Sequence, residues 1–314
     1  MLAYLARRLA GSLLVLAIMS LVVFLLIGLM PGDPLDLMIG GDPTLTSADA
    51  ARLRALYGLD RPLFERYLAW AGNALGGDFG WSRSFGQPAL AILGGALLNT
   101  LGLLLPALLL ALAVALPLGL LAAARPRGLL DRLAEGLALL SLSVPTFWLA
   151  LLLIYLFAVE LRWLPAGGQG DGSPLGWAEA MVLPVATLAL GSLGHFLRFM
   201  RAAAGEALQQ DWIRTARAKG APRRRILWRH VLPAASLPLV TLVGLSVGAL
   251  FSGALVTEIL FRQLGMGRVL YGAIVGNDYN LALVGLLVAT AATLLGNLLA
   301  DLAYARLDPR IALS

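Results

Sequence analysis

Residues 206–233 of this chain read EALQQDWIRTARAKGAPRRRILWRHVLP, and this stretch decides how the rest is organised. Nine of the 24 Lys and Arg residues lie between positions 198 and 229, and apolar segments long enough to cross a membrane flank the stretch on both sides. In membrane proteins, Lys and Arg concentrate in the loops that stay in the cytoplasm. The stretch is therefore predicted to be a cytoplasmic loop between two membrane-spanning helices.

Local signals predict two short helices within this loop. Asp211 can start a helix, and no Gly or Pro follows it until Gly220. A glycine tolerates the positive φ common at a helix C-terminus, and Pro222 suits the first turn of a second helix. We therefore expect a sharp bend at Gly220.

The spacing of small residues predicts a docking face on the first of these helices. Ile213, Ala216 and Gly220 follow i, i+3, i+7 spacing and would share one face, whereas Arg214 and Arg217 point elsewhere. A face of small residues allows another surface to approach closely. A bland alternative is a basic loop that only sets the membrane topology.

The loop resembles the coupling loop, or EAA motif, of ABC-importer permeases in the form used by the dipeptide/oligopeptide/nickel group. Where the general motif has EAA and ends in I-x-L-P, this chain has Arg214-Thr215-Ala216 and the residues HVLP at 230–233, as is usual in the peptide group. The resemblance implies that this loop contacts the ATPase subunits through Asp211, Arg214, Thr215, Ala216, Arg217, Ala218, Lys219 and Gly220.

Composition places the chain in a membrane. It has 314 residues, of which 59% are hydrophobic and 13% are charged. Apolar runs of about 20 residues are long enough to span a hydrocarbon core of about 30 Å. The predicted class is an all-α polytopic membrane protein with six transmembrane helices, at about 9–30, 99–124, 133–158, 180–199, 231–257 and 281–300. The predicted domains are 1–30 (N-terminus and first span), 31–98 (an extracytoplasmic helical segment) and 99–313 (a core with the coupling loop at 201–230).

The extracytoplasmic segment is predicted to hold two helices. Thr46 can cap the first, which would end at Gly58, and Pro62 opens the second. Leu63, Tyr67 and Trp70 would form a stripe on the second helix, which favours anchoring at the membrane surface over a ligand site.

Four of the predicted spans contain proline, among them the second and the third. Residues 84–124 include no charge, and we expect an interfacial piece before the span proper begins at Asn99. Pro106 and Pro117 should bend that span. The third span contains Pro145.

The distribution of charge predicts the topology. The segments assigned to the cytoplasm hold 16 Lys and Arg residues, against 8 in the outer segments. This bias predicts that both termini of a multi-pass protein lie in the cytoplasm. The resemblance to ABC-importer permeases implies that the membrane is the bacterial inner membrane. The charge bias also explains the net charge of +6 without nucleic-acid binding.

The sequence lacks the chemistry of several other classes. Lys219, the sole lysine, is followed by Gly220, so the chain cannot carry a Walker A phosphate loop. No cysteine is present, and His195 and His230 are not spaced as a metal-binding pair. No span centre carries a charged residue, which argues against the alternative of a secondary transporter. We expect no catalytic, cofactor-binding or metal-binding residue.

The resemblance extends along nearly the whole chain and implies a type I ABC-importer permease of the B type. Such a subunit would pair with a second homologous permease, two ATPase subunits that bind ATP and Mg, and an extracytoplasmic binding protein. Peptides would be the substrates, with nickel chelates, glutathione or oligosaccharides as alternatives. Further matching motifs are PGDP at 31–34, YGLDRP at 57–62, PTFW at 145–148, WLP at 163–165, GMGR at 265–268 and LDPR at 307–310.

Four hydroxyl side chains are candidates to line the translocation pathway: Ser141, Ser143, Thr146 and Ser252. Each could instead bond the carbonyl one turn back in its own helix. Because the spans offer no fixed charge, we expect substrate selectivity to reside mainly in the binding protein.

Overall fold

A computed structural model describes residues 2–29 and 60–307 of the chain. The chain divides into two compact units, one formed by Met1–Leu97 and Arg268–Leu294 and the other by Leu98–Gly267 and Leu295–Ser314. The described elements are helical, apart from a two-residue ladder between β1 (Trp81–Ser82) and β2 (Gln87–Pro88). The helices are α1 (Leu2–Gly28), α2 (Leu63–Leu75), α3 (Ala89–Ala124), α4 (Leu129–Ser143), α5 (Thr146–Leu153), α6 (Pro174–Leu208), α7 (Asp211–Ala218), α8 (Arg223–Arg225), α9 (Leu232–Leu260), α10 (Met266–Val275) and α11 (Tyr279–Leu307). The π-helical stretches Ile154–Glu160 and Ile226–Val231 follow α5 and α8.

Five of the described helical segments are long and apolar enough to cross a membrane, and a bent pair raises the count to six. The bent pair corrects the third predicted span, which we expected to be one helix. Instead, α4 and the segment Thr146–Glu160 meet at 102°. Val144 has φ −90° and ψ 120°, because a residue before proline avoids the helical region. Pro145 then caps α5.

Several helices extend beyond their predicted limits, and three of these extensions matter here. α3 begins at Ala89, so the expected interfacial piece is part of the same helix as the span. α6 begins at Pro174, because the Ser173 hydroxyl accepts a hydrogen bond from the Gly176 amide and caps the helix. α9 continues to Leu260, which places Glu258 in a helix rather than in the predicted outer loop.

In the first unit, α2 packs against α1 through its predicted stripe. The Tyr67 hydroxyl lies 3.0 Å from that of Ser20, and the Tyr67 ring lies 5.6 Å from the ring of Phe24. Trp70 lies 6.0 Å from Phe24. α2 begins after Pro62, as predicted. The helix predicted from Thr46 lies outside the described residues.

The first unit also holds the β1–β2 hairpin against the start of α11. Asp278 is buried and accepts hydrogen bonds from the Ser82 hydroxyl at 2.5 Å and the Ser84 amide at 2.9 Å. Burial alone would raise the pKa of Asp278, but the hydrogen bonds from Ser82, Ser84 and neighbouring amides outweigh it and lower the pKa. The ionised carboxylate therefore fastens the hairpin to the chain before α11.

The second unit is built around α6, which packs against α4, α5 and α9. Its fully buried side chains include Phe196, Leu197 and Met200. Gly119 of α3 allows that helix to approach α6 closely, because a Cβ there would lie 2.9 Å from Met200 Cβ and 3.1 Å from the Arg201 amide nitrogen. This core carries the loop that the sequence singles out.

Candidate functional site

The helix at the centre of the basic loop, α7, is short and ends as predicted. The Ala221 amide donates to the Ala216 carbonyl at 3.1 Å, and the Gly220 amide donates to the Arg217 carbonyl at 2.9 Å. This pair of bonds is the Schellman motif, in which the residue after the cap adopts positive φ. Gly220 has φ +74°, and nothing lies within 4 Å of where a Cβ would stand. The bend therefore depends on backbone conformation and not on side-chain space.

The chain after the bend differs from the prediction of a second short helix. Pro222 is the N-cap of α8, and the helical path continues through Ile226–Val231 into α9. The loop is thus one separate short helix followed by the start of a long one.

The small-residue face of α7 docks, but on the chain itself. Ile213 is fully buried in the main apolar cluster of the second unit, and Ala216 packs against that cluster. The surface that packs against this face therefore belongs to the same unit of this chain. What α7 leaves free is the opposite face.

The opposite face of α7 is exposed and largely polar. Arg214 Nη1 lies 3.3 Å from Asp211 Oδ1 in an ion pair whose members are both largely exposed. The Thr215 hydroxyl donates to the Asp211 carbonyl at 3.1 Å. Trp212 is 43% exposed and is the large apolar side chain of this face. Ala218 and Lys219 complete the exposed surface.

A second contact fixes the base of the loop. Arg223 donates from Nη2 to the carbonyl of Ala124, the last residue of α3. A helix C-terminus carries unpaired carbonyls, and an arginine satisfies one of them while complementing the helix dipole. Arg217 and Arg223 also line a cavity of about 370 Å³, together with apolar side chains that include Leu208 and Leu227.

Sequence reasoning missed the ion pair that braces the helix leading into the loop. Arg201 of α6 donates to Asp131 of α4 from Nε at 2.5 Å and from Nη2 at 3.1 Å. Asp131 Oδ2 also accepts from the Arg127 amide at 2.8 Å. The opposite charges of Asp131 and Arg201 were visible, but their separation of 70 positions hides the pairing in the sequence.

The four predicted pathway residues differ in their surroundings. Ser141 Oγ donates to the Leu190 carbonyl at 2.6 Å and accepts from the Gly194 amide at 2.8 Å. It therefore bonds a neighbouring helix, and the alternative of a bond one turn back in its own helix is wrong for this residue. Ser143 is exposed and Thr146 is half-buried. The side chain of Ser252 lies outside the described residues.

Neither histidine belongs to a group of side chains that could hold a metal ion among the described residues. His195 is exposed and His230 is half-buried. Over residues 2–29 and 60–307, the structure has no group of three or more His, Asp or Glu side chains arranged to hold a metal.

The chain matches two family descriptions. Residues 115–313 match the binding-protein-dependent transport system inner membrane component, and residues 1–95 match the N-terminal part of such membrane components. The matched range contains the whole of α7 and the helices that carry it.

Individual relatives align from end to end. A permease protein of Brucella suis biovar 1 (strain 1330) is 38% identical over 316 residues, covering 99% of each chain. The dipeptide transport system permease protein DppB of Escherichia coli (strain K12) is 34% identical over 336 residues, again covering 99% of each chain.

The fold also has a counterpart of known structure. A chain of the MetNI methionine ABC transporter in an inward-facing conformation matches with a TM-score of 0.57 at 18% identity, covering 70% of this chain and 98% of the other. This likeness confirms the predicted permease fold. With the family match and the end-to-end relatives, it shows that this chain belongs to the inner membrane components of binding-protein-dependent transport systems, as the permease subunit of an ABC importer.

Proposed function

We propose that this chain forms half of the translocation pathway of a peptide importer and receives the force of ATP hydrolysis through the exposed face of α7. The observation that supports the coupling role is that one face of α7 is buried against its own unit while the other face is exposed. Ile213 and Ala216 fix the helix to its own unit, so the face with Trp212 is held firmly and remains free for a partner. A rigidly held helix transmits displacement better than a loose loop.

The partners we propose are a second homologous permease, two ATPase subunits and an extracytoplasmic binding protein. ATP and Mg would be bound by the ATPase subunits, because this chain has no residues for a Walker A loop. The Lys and Arg bias supports a cytoplasmic position for both termini and for α7.

The coupling role is testable with single cysteines, because the chain contains none of its own. Ala218→Cys places a thiol on the exposed face, and Ala216→Cys places one on the face packed against the core. In the assembled transporter, we expect Ala218→Cys to cross-link to a cysteine on the ATPase surface and Ala216→Cys to remain unlinked. Equal cross-linking at both positions, or at neither, would contradict this contact face.

Peptide transport is supported by the dipeptide permease that aligns with the whole chain. The test uses the complete transporter in proteoliposomes with ATP, binding protein and radiolabelled dialanine. We expect uptake that unlabelled di- and oligopeptides inhibit and that a nickel chelate or an oligosaccharide leaves unchanged. Inhibition by the chelate or the oligosaccharide alone would assign the transporter to that substrate; glutathione, itself a peptide, is compared separately.

We further propose that hydroxyl side chains line a weakly binding passage, with Ser143 and Thr146 as candidates. Ser141 is a weaker candidate, because its hydroxyl bonds the backbone of α6. Selectivity then belongs to the binding protein. Exchanging the binding proteins of two such transporters, with this permease constant, should change the imported substrate to match the binding protein. A substrate that instead follows the permease would show that a selective site lies within the membrane helices.

A further inference from the structure

The second unit contains a buried carboxyl group that the proposed coupling face does not use. Glu258, in the last turn of α9, is 0% exposed. Thr100 of α3 donates its hydroxyl to Glu258 Oε1 at 2.6 Å, and the Met266 amide donates to the same Thr100 oxygen at 2.8 Å. The hydroxyl thus connects α3 with the end of α9 and with the first residue of α10.

The chain between α9 and α10 is wrapped closely around this carboxyl group. A Cβ on Gly265 would lie 2.1 Å from Glu258 Oε1, and one on Gly267 would lie 3.0 Å from Glu258 Oε2. At 2.1 Å no Cβ fits beside the buried carboxylate, and a Cβ on Gly267 would also lie 2.9 Å from the Leu255 Cα, so both positions favour glycine. The GMGR motif at 265–268 is therefore explained by the need to admit Glu258.

Further bonds tie the same turn to the segment that precedes α6. The Gly168 amide donates to the Phe261 carbonyl at 2.8 Å, and Gln263 Nε2 donates to the Gly168 carbonyl at 2.8 Å. Asn99 Nδ2 donates to the Leu264 carbonyl at 3.0 Å. Phe261 is itself fully buried. We call residue 100 and residues 167–169 and 258–267 the brace; the exposed bond from Asn99 lies outside it.

We propose that Thr100 and Glu258 are positioning residues that hold α3 against the last turn of α9 until the partner subunits drive the two helices apart. The inference rests on the proposed function, because it assigns a resting state to the transport cycle. A hydrogen bond buried in low-dielectric surroundings is costly to lose, so these bonds favour the arrangement in which α3 stays against the end of α9. Their loss should allow the cycle to start without the binding protein.

The test compares variants of Thr100 in the complete transporter. Thr100→Val keeps the volume and removes both hydrogen bonds, and Thr100→Ser keeps the hydroxyl. Asn99→Ala is the matched control, because it removes an exposed bond to the same turn. Gly265→Ala displaces the Glu258 carboxylate instead of removing the Thr100 hydroxyl. The test therefore does not depend on the folding of a single variant.

Three quantities are measured: hydrogen exchange at the Met266 amide, ATP hydrolysis without binding protein, and dialanine imported per ATP with it. For Thr100→Val we expect exchange of the Met266 amide to be faster by up to about tenfold, since this amide loses the Thr100 hydroxyl oxygen that accepts its hydrogen bond. We also expect ATP hydrolysis without binding protein to rise severalfold and import per ATP to fall. Gly265→Ala should behave likewise, and Thr100→Ser and Asn99→Ala should match the wild type.

Faster exchange with unchanged ATP hydrolysis and unchanged import per ATP would overturn the proposal, because the brace would then be purely structural. Unchanged exchange in Thr100→Val would also overturn it. If the wild type itself failed to import dialanine, the proposed substrate would be wrong. The comparison of ATP hydrolysis needs no substrate and would still decide the role of the brace.

Discussion

The ion pair between Asp131 and Arg201 offers the sharpest test of how α6 is held. Arg201→Met keeps most of the side-chain length and removes both hydrogen bonds to Asp131. The side chain of Asp131 is 5% exposed, so its carboxylate cannot recover these bonds from water. We therefore expect the single variant to be destabilised mainly by the carboxylate that it leaves behind.

The magnitude follows from burial. Removing one partner of a fully buried ion pair costs about 3–5 kcal/mol, whereas an exposed pair contributes about 0–1 kcal/mol. The side chain of Arg201 is 39% exposed, so solvent already screens part of the interaction. We expect a loss of about 2–3 kcal/mol for Arg201→Met, between these two limits.

The assay is thermal unfolding of the purified transporter in one detergent at one heating rate. A loss of that size should lower the midpoint by about 5–10 °C. The control is Arg214→Met, which breaks the exposed pair with Asp211 and should shift the midpoint little. Adding Asp131→Asn to Arg201→Met should restore part of the loss, because the buried charge is gone. Equal shifts for Arg201→Met and Arg214→Met, or additive effects in the double variant, would refute this reasoning.

Three further predictions concern the loop, the topology and the hairpin. Gly220→Val should abolish ATP-driven uptake at normal membrane abundance, because φ +74° strains a β-branched residue, while Gly205→Val, also with open space around its Cβ, should retain uptake; normal uptake by both would exclude coupling through the bend. An alkaline phosphatase fusion at Ser47 should be active and one at Arg224 inactive, and the reverse pattern would overturn the proposed orientation. The folded-state pKa of Asp278 lies below the ordinary 3.8. The stability that its carboxylate contributes to the hairpin is therefore full above pH 3.8 and is lost as the pH falls through the lowered pKa. The protection of the hairpin amides, measured relative to their intrinsic exchange rates, should therefore fall at such acidic pH in the wild type but not in Asp278→Asn. An equal acid response in both would exclude this carboxylate.

Signals confined to a few neighbouring residues predicted local structure well. The bend at Gly220 was predictable because a helix end favours a residue that tolerates positive φ, and Gly220 has φ +74°. The start of α2 after Pro62 was predictable for a similar local reason. The apolar runs predicted where helices lie, since an uninterrupted apolar stretch in a membrane has no other way to satisfy its backbone.

The contacts that hold the site together were not predictable, because they join distant positions. Thr100 and Glu258 are 158 residues apart, and nothing local to either predicts the partner. Glu258 was placed in a loop because a carboxylate usually ends an apolar run. The spacing of small residues predicts that one face of α7 packs against another surface, but it does not say whether that surface belongs to this chain or to a partner. Ile213 packs against its own unit, so the partner's face is the other one.

The position of the Ser141 hydroxyl has a mechanical consequence. It lies between the Leu190 carbonyl and the Gly194 amide, the two groups that an α-helix pairs with each other across one turn. A side chain of α4 thus takes part in the backbone ladder of α6. Sliding one helix along the other by even the rise of a single residue, about 1.5 Å, would break both bonds at once. The two bonds therefore resist sliding of α4 along α6, whereas a tilt of both helices together leaves them intact.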